Sequence, residues 1–210
     1  MSAKTRRERK AETRAAIKAA ARRCFHELGY SGTNIADIAG AAGVAHGTFY
    51  VHFPNKDAVL DELLAEFNGA FVDSLAPVFA AAPSAPIADT VRATAEAFLD
   101  HWQSNRAFVE CFAERSAAGL DLASLRDGVN PPMARLIGTA LRAAAARRGA
   151  IGVPWELVTH ALLAMWLRVG MQFLFNDGVS RAQATDALVA MSVGAIEAVL
   201  PPAASPAAEE

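Results

Sequence analysis

The side chains best suited to chemistry in this 210-residue chain lie between Thr33 and Lys56, and the chemistry they offer is hydrogen-bond donation. Thr33, Thr48, Tyr50, His52 and Lys56 bring hydroxyls, a phenol, an imidazole and an ammonium into one short stretch, and all of these groups donate to phosphate oxygens. Machinery for turnover is not legible elsewhere. The sequence contains no nucleophile elbow, P-loop, HExxH or Glu-x-x-His pair. Glu110 and Glu114 stand four apart, on one face of a helix, but lack the histidine partner of a carboxylate-bridged metal site. Cys24 and Cys111 form neither a metal-type pair nor a disulfide framework; their apolar neighbours suit buried free thiols in a reducing cytoplasm. No catalytic residue, metal or cofactor is expected.

The elements that must position these donors are helices, because breakers cut the chain into helix-length pieces and no alternating run suggests a sheet. A first helix is expected from about Arg9 to Leu28, with Ile17, Ala20, Ala21, Cys24, Phe25 and Leu28 as its apolar stripe and Gly29 just past its end. Thr33 is the N-cap candidate of a short second helix whose Ile35, Ile38 and Ala39 face inward, with Asp37 near the positive end of its dipole. Gly43 permits a turn, and a third helix runs from near Val44 to Phe53-Pro54. Asn55 caps the next one. Two short helices joined by a tight glycine-containing turn are what a helix-turn-helix requires, the second helix lying in the major groove of DNA. Val44, Phe49 and Phe53 would pin that second helix to the core. Ala45, His46, Gly47 and Thr48 are left at its N-terminal turn, where base edges are met.

Charge agrees with this division. Residues 1–24 carry nine basic groups against Glu8 and Glu12, a net of +7, which leaves −9 for the rest of the chain. A basic head on an acidic body is expected where only the head approaches a polyanion. The N-terminus has no apolar signal-like stretch. The most apolar run, Leu157 to Phe175, is interrupted by His160, Arg168 and Gln172, so it reads as a buried helix and no membrane partner is expected.

The segment resembles the TetR (tetracycline-repressor-like) family of regulators. The residues that carry the resemblance are Ile38-Ala39, Ala42-Gly43-Val44, Gly47-Thr48-Phe49-Tyr50, His52-Phe53 and Lys56, with the basic first helix and an all-helical body beside them. The resemblance implies that Thr33, Tyr50, His52 and Lys56 contact phosphates, that Gly47 lets the backbone approach the bases, and that His46 and Thr48 read base edges. Ala45 stands where the family often has Ser or Thr, removing a capping and phosphate-contacting hydroxyl. Val51 replaces a residue that is frequently aromatic or polar.

The remainder reads as a body for ligand and partner. The connector 80–86 is followed by expected helices at about 87–103, 106–118, 132–148, 154–176 and 181–199, with Pro154 in a first turn and Ser180 and Gln183 at capping-box spacing. A loose segment is expected from Gly119 to Pro131 and a frayed tail at 201–210. A dimer is the economical way to multiply contacts on a two-fold operator. Ala187, Met191, Gly194 and Ala198 on the last helix, with Leu162, Trp166, Gly170 and Phe173 on the one before, are the expected interface, giving a four-helix bundle as the resemblance implies. Trp102, Phe108, Phe112, Met133, Met165 and Trp166, with polar residues interspersed, suit a mostly apolar small-molecule pocket.

The sequence thus predicts an all-α protein of about nine helices: a helix-turn-helix domain at 9–56 (motif about 34–53), an effector-binding and dimerisation domain at 57–200, and a disordered tail. The function expected is that of a cytoplasmic, homodimeric regulator, a repressor released from a palindromic double-stranded operator by a small effector. The helix from Lys56 to about Ala80 is the expected lever between the two activities. The alternative is an all-α small-molecule-binding protein or enzyme that does not bind DNA.

Overall fold

A computed structural model describes residues 5–118, 131–150 and 152–200. Among the described residues there are ten helices and no strand: α1 (Arg6–Gly32), α2 (Ile35–Ala41), α3 (His46–His52), α4 (Lys56–Ser74), α5 (Ala76–Ala81), α6 (Ile87–Ser104), α7 (Arg106–Ala118), α8 (Pro131–Arg147), α9 (Trp155–Phe175) and α10 (Arg181–Val199). The fold class is the expected one. The extra helix arises because α4 and α5 divide one helical stretch, Lys56–Ala81, at Leu75. The expected loose segment before Pro131 and the expected tail fall on residues outside those described.

The described residues form two compact units, one made of 5–67 with 105–118 and the other of 68–104 with 131–150 and 152–200. The first unit therefore runs beyond Lys56 and takes in α7. Its core is Ile17, Ala20, Ala21, Cys24 and Phe25 from α1, Ile38 and Ala39 from α2, Phe49 and Phe53, then Val59, Leu60, Leu63 and Phe67 from α4. Leu28, expected in the stripe, is 51% exposed. α7 adds Phe108, packed against Phe67 with ring centroids 5.3 Å apart, and Cys111, whose thiol donates to the Phe25 carbonyl at 3.1 Å. Burial pushes the Cys111 thiol up to about 11, so it stays protonated.

Local chemistry sets the helix ends. α1 begins earlier than Arg9 because Thr5 and Glu8 form a capping box: the Glu8 N–H donates to the Thr5 hydroxyl at 3.2 Å and the Thr5 N–H to the Glu8 carboxylate at 2.7 Å. Gly29 (φ 71°) breaks α1 where expected, and one further helical turn follows it. Asn34, not Thr33, caps α2, in a reciprocal pair with Asp37. Thr33 fails as a cap because its hydroxyl turns back to donate to the Gly29 carbonyl at 2.7 Å. α3 starts at His46 with Ala45 at the cap position and no side-chain cap bond. Asn55 caps α4 as expected, accepting the Ala58 N–H at 2.8 Å.

The second unit packs α8 and α9 together and α10 against α6 and α9. Val91, Leu141, Ala145, Leu162, Ile196 and Leu200 form one core cluster. Phe98, Trp102 and Trp166 form an aromatic group beside it, with centroids 4.7 Å (Phe98–Trp102) and 5.4 Å (Phe98–Trp166) apart. The expected capping box of Ser180 and Gln183 opens α10, whereas Pro154 sits at the cap of α9 and not in its first turn.

Candidate nucleic-acid interface

The turn between α2 and α3 is closed by backbone alone. The Val44 N–H donates to the Ala39 carbonyl at 3.0 Å and Gly43 N–H to Gly40 at 3.1 Å, a path that needs the positive φ of Gly43 (68°). α3 then presents one face inward and the other outward. Phe49 and Phe53 are fully buried, and Val44 is half-buried, so the expected pins do hold α3 to its unit. Ala45, His46 and Gly47 are exposed and Thr48 is half-buried. No atom lies within 4 Å of the place a Cβ would occupy on Gly47, leaving that surface open to close approach. Tyr50 is 50% exposed and its ring meets His46 edge-on at 5.4 Å. Val51 is 68% exposed, an apolar side chain on the open face of α3.

Three of the expected phosphate donors are held differently from Tyr50. Thr33 is buried and its hydroxyl is committed to Gly29, so only backbone remains there for a partner. The Lys56 ammonium donates to the Tyr30 carbonyl at 2.8 Å and the Thr33 carbonyl at 2.9 Å, and lies 4.3 Å from the centre of the Tyr30 ring. Two of its three protons thus close the end of α1, and one is left over. His52 is half-buried with its Nδ1 unpartnered among the described residues. Burial, then the charges of Lys10 and Arg14, hold that imidazole below its usual value, so it is neutral at pH 7.

The basic first helix is also divided in its uses. Arg14 pairs with Glu62 at 2.6 Å, Lys18 with Glu62 at 3.2 Å and with Glu66, and Arg22 with Glu66 at 3.2 Å. Arg23 donates to the Ala41 carbonyl at 3.0 Å. The hydrogen bond to Glu66 outweighs burial and raises the Lys18 pKa above its ordinary value. Burial pushes Glu62 up, but hydrogen bonds from Arg14 and Lys18 overcome it and hold its carboxyl below the usual range. Arg6, Arg7 and Lys10, in the first turns, are exposed. The complementary spacing was visible in the sequence: basic residues at 14, 18 and 22 match acids at 62 and 66, each set at steps of four.

The six residues expected to line one pocket are distributed over both units. Phe108 and Phe112 are on α7 in the first, where Phe108 is core; Trp102, Met133, Met165 and Trp166 belong to the second. There, an open concavity of about 340 Å³ lies between α9 and α10, lined by Arg168, Val169, Gln172, Val179, Gln183 and Ala187 among others, and none of the six reaches it.

The residues expected to form the partner face are mostly exposed on α10 and mostly turned inward on α9. Met191 is 42% exposed, Gly194 and Ala198 are exposed, and Ala187 is half-buried. On α9, however, Leu162 is core and Gly170 is buried: a Cβ there would lie 2.8 Å from Phe98 and Trp102. Trp166 and Phe173 are half-buried on the same inward side, and the Trp166 indole donates to Ser192 at 2.9 Å. The exposed large apolar residues of α9 are Leu157, Leu167 and Phe175, open by 68%, 39% and 42%.

Comparison with known proteins agrees with this geometry. Residues 17–63 match the family model "Bacterial regulatory proteins, tetR family". The HTH-type transcriptional regulator TtgR of Pseudomonas putida is 47% identical over 58 residues, a match that covers 28% of this chain and 28% of TtgR. Over nearly the whole chain the fold matches a protein assigned to the TetR-family transcriptional regulators from Syntrophomonas wolfei (TM-score 0.73, 17% identity, 90% of this chain and 97% of that one). It also matches Thermus thermophilus FadR, a TetR-family transcriptional repressor solved with lauroyl-CoA (TM-score 0.70, 17% identity, 92% and 98%). Residues 17–63 are thus similar to the amino-terminal domain of the tetR family of bacterial regulatory proteins, and the chain shares the fold of these solved structures.

Proposed function

We propose that this chain is a cytoplasmic transcription regulator that binds a palindromic operator as a homodimer, and that a small, mostly apolar ligand in the second unit releases it. The observation that carries the reading is the two-faced α3. Phe49 and Phe53 are buried, while Ala45, His46, Gly47 and Tyr50 stand open in sequence order at its N-terminal turns. A helix held in this way presents its first residues to base edges in the major groove. Tyr50, the remaining proton of Lys56 and the exposed Arg6, Arg7 and Lys10 then serve the phosphates, with His46 and Thr48 reading sequence. FadR supports the ligand and repressor parts of the reading, being itself a repressor seen with an acyl-CoA. α4, which begins in one unit and ends in the other, is a covalent route by which a ligand would bias DNA binding. The dimer would form through the exposed stripes of α9 and α10.

The test is enrichment of duplexes from a random pool by the full-length chain, followed by affinity measured against salt. A regulator gives a palindromic consensus and a log–log slope of about −0.9 per phosphate neutralised. Tyr50→Phe should weaken every duplex alike, whereas His46→Ala should change which sequence is preferred. Absence of any enriched sequence would remove the reading in favour of a helical ligand-binding protein.

A further inference from the structure

We propose that Arg14 is a positioning residue for sequence recognition: it fixes the placement of α3 without itself touching DNA. The inference rests on the reading of α3 as the helix that meets base edges. α3 has only seven residues and lacks a side-chain cap at its start, so little of its own structure holds it in place. Its end is held by one guanidinium. Arg14 Nη1 donates to the carbonyl of His52, the last residue of α3, placing a cation at the negative end of the helix dipole. The same group lies 4.0 Å from the centre of the Phe53 ring, which is fully buried directly after the helix. Its other edge grips Glu62 on α4, with Nη2 to Oε2 at 2.6 Å and Nε to Oε1 at 3.4 Å.

One rigid plane therefore joins the end of α3, the ring that anchors it and the neighbouring helix. Three of the five N–H donors and one face of the fork are occupied, so a phosphate contact would have only the two remaining N–H groups. Lysine cannot replace this arrangement: a point ammonium can answer either the carbonyl or the carboxylate but has no planar fork to span both while lying over a ring. The residues that would read bases lie on the two turns preceding His52, so a shift at the carbonyl end changes their reach into the groove. Base contacts depend on position to within a fraction of an ångström, and phosphate contacts on flexible side chains do not.

The experiment compares full-length wild type, Arg14→Lys and Glu62→Gln on the duplex that wild type enriches and on an unrelated duplex, across a salt series, with thermal midpoints recorded alongside. The expected result for Arg14→Lys is an affinity loss of about tenfold on the enriched duplex, the scale of one charge-assisted hydrogen bond, with much less loss on the unrelated one. A fourth protein, Arg14→Gln, lacks the charge, and its salt slope should match that of wild type. Glu62→Gln, which keeps the shape of the plane but loosens it, should shift the ratio between the two duplexes in the same direction by a smaller factor. A slope shallower by about 0.9 in Arg14→Gln makes Arg14 a phosphate contact and overturns the proposal. Equal losses on both duplexes, or no loss, overturn it as well. Should Arg14→Lys fail to fold, an unchanged ratio in Glu62→Gln overturns it. Failure of wild type to enrich any duplex removes the DNA reading itself and this inference with it, an outcome distinct from the others.

Discussion

The carboxylate of Glu114 accepts the backbone N–H of Tyr30 at 3.0 Å, joining positions 84 residues apart. It also accepts the Ser31 N–H at 3.2 Å, so one α7 side chain closes both donors that follow the left-handed turn at Gly29. The turn and the carboxylate fit each other: a Cβ on residue 29 would come within 3.0 Å of Glu114 Oε1. Glu114→Ala should therefore destabilise the first unit by about 1–2 kcal/mol, the usual effect of leaving hydrogen-bond donors without a charged acceptor. Gly29→Ala should cost more, since backbone strain and the close contact act together. Urea unfolding monitored by circular dichroism reads both, and a silent Glu114→Ala would show that solvent replaces the carboxylate without loss.

Lys56 yields a prediction that separates structural from DNA-binding roles. Its ammonium satisfies the carbonyls of Tyr30 and Thr33 in the free protein. Lys56→Met keeps most of the stem and removes the donor, so stability measured without DNA should fall by about 1–3 kcal/mol. If the free protein is as stable as wild type and only DNA affinity falls, the two carbonyl bonds contribute nothing and the residue is a phosphate ligand alone.

The ladder of Arg14, Lys18 and Arg22 against Glu62 and Glu66 makes stability depend on pH at both ends of the scale. Burial raises the Glu62 pKa, yet the hydrogen bonds from Arg14 and Lys18 leave it net below its ordinary 4.5. Its contribution is thus fully present above 4.5 and lost as pH falls through the lower folded value. Lys18 is raised above its ordinary 10.5, chiefly by the Glu66 bond, so its contribution is present below 10.5 and lost as pH climbs through the folded value. Glu62→Gln should be less stable than wild type at neutral pH, with the gap closing in acid. A gap that is constant from pH 7 to pH 3 would rule out the ion pairs as its cause.

These contacts also show what could be read from the residues in order and what could not. The order of the helices, the glycine turns at 29 and 43 and the burial of Phe49 and Phe53 follow from local spacing, whereas the start of α1 at Arg6 and the break at Leu75 were not read from it. The identity of the α2 cap was not legible, because both Thr33 and Asn34 are good caps and the choice is made by a carbonyl at Gly29 that Thr33 reaches first. The occupation of Lys56 by two carbonyls was hidden for a similar reason: a cation beside a reading helix has the same sequence signature whether it faces DNA or a helix end. The membership of α7 in the first unit depends on Cys111, Glu114 and Phe108 meeting α1 and α4, and no periodicity within α7 encodes that. The inward turn of Leu162 and Gly170 on α9 was not legible either, because it depends on Phe98 and Trp102 of α6 approaching Gly170, where a Cβ would lie 2.8 Å from each.

That last distinction leads to a test of association. Leu167 and Met191 are exposed on α9 and α10, whereas Leu162, seemingly equivalent in sequence, is core. A solvent-facing apolar stripe on adjacent helices is the kind of surface a second copy covers in a four-helix bundle. Leu167→Glu and Met191→Glu should leave the thermal midpoint of the isolated subunit nearly unchanged and convert a dimer to a monomer in sedimentation. Leu162→Glu should instead unfold the second unit, since it places a charge in a core with no partner, a change worth several kcal/mol. If wild type sediments as a monomer at micromolar concentration, the stripe serves some other contact. If Leu167→Glu remains dimeric while Leu162→Glu folds and dissociates, α9 presents its other face to the partner and the assignment of faces is reversed.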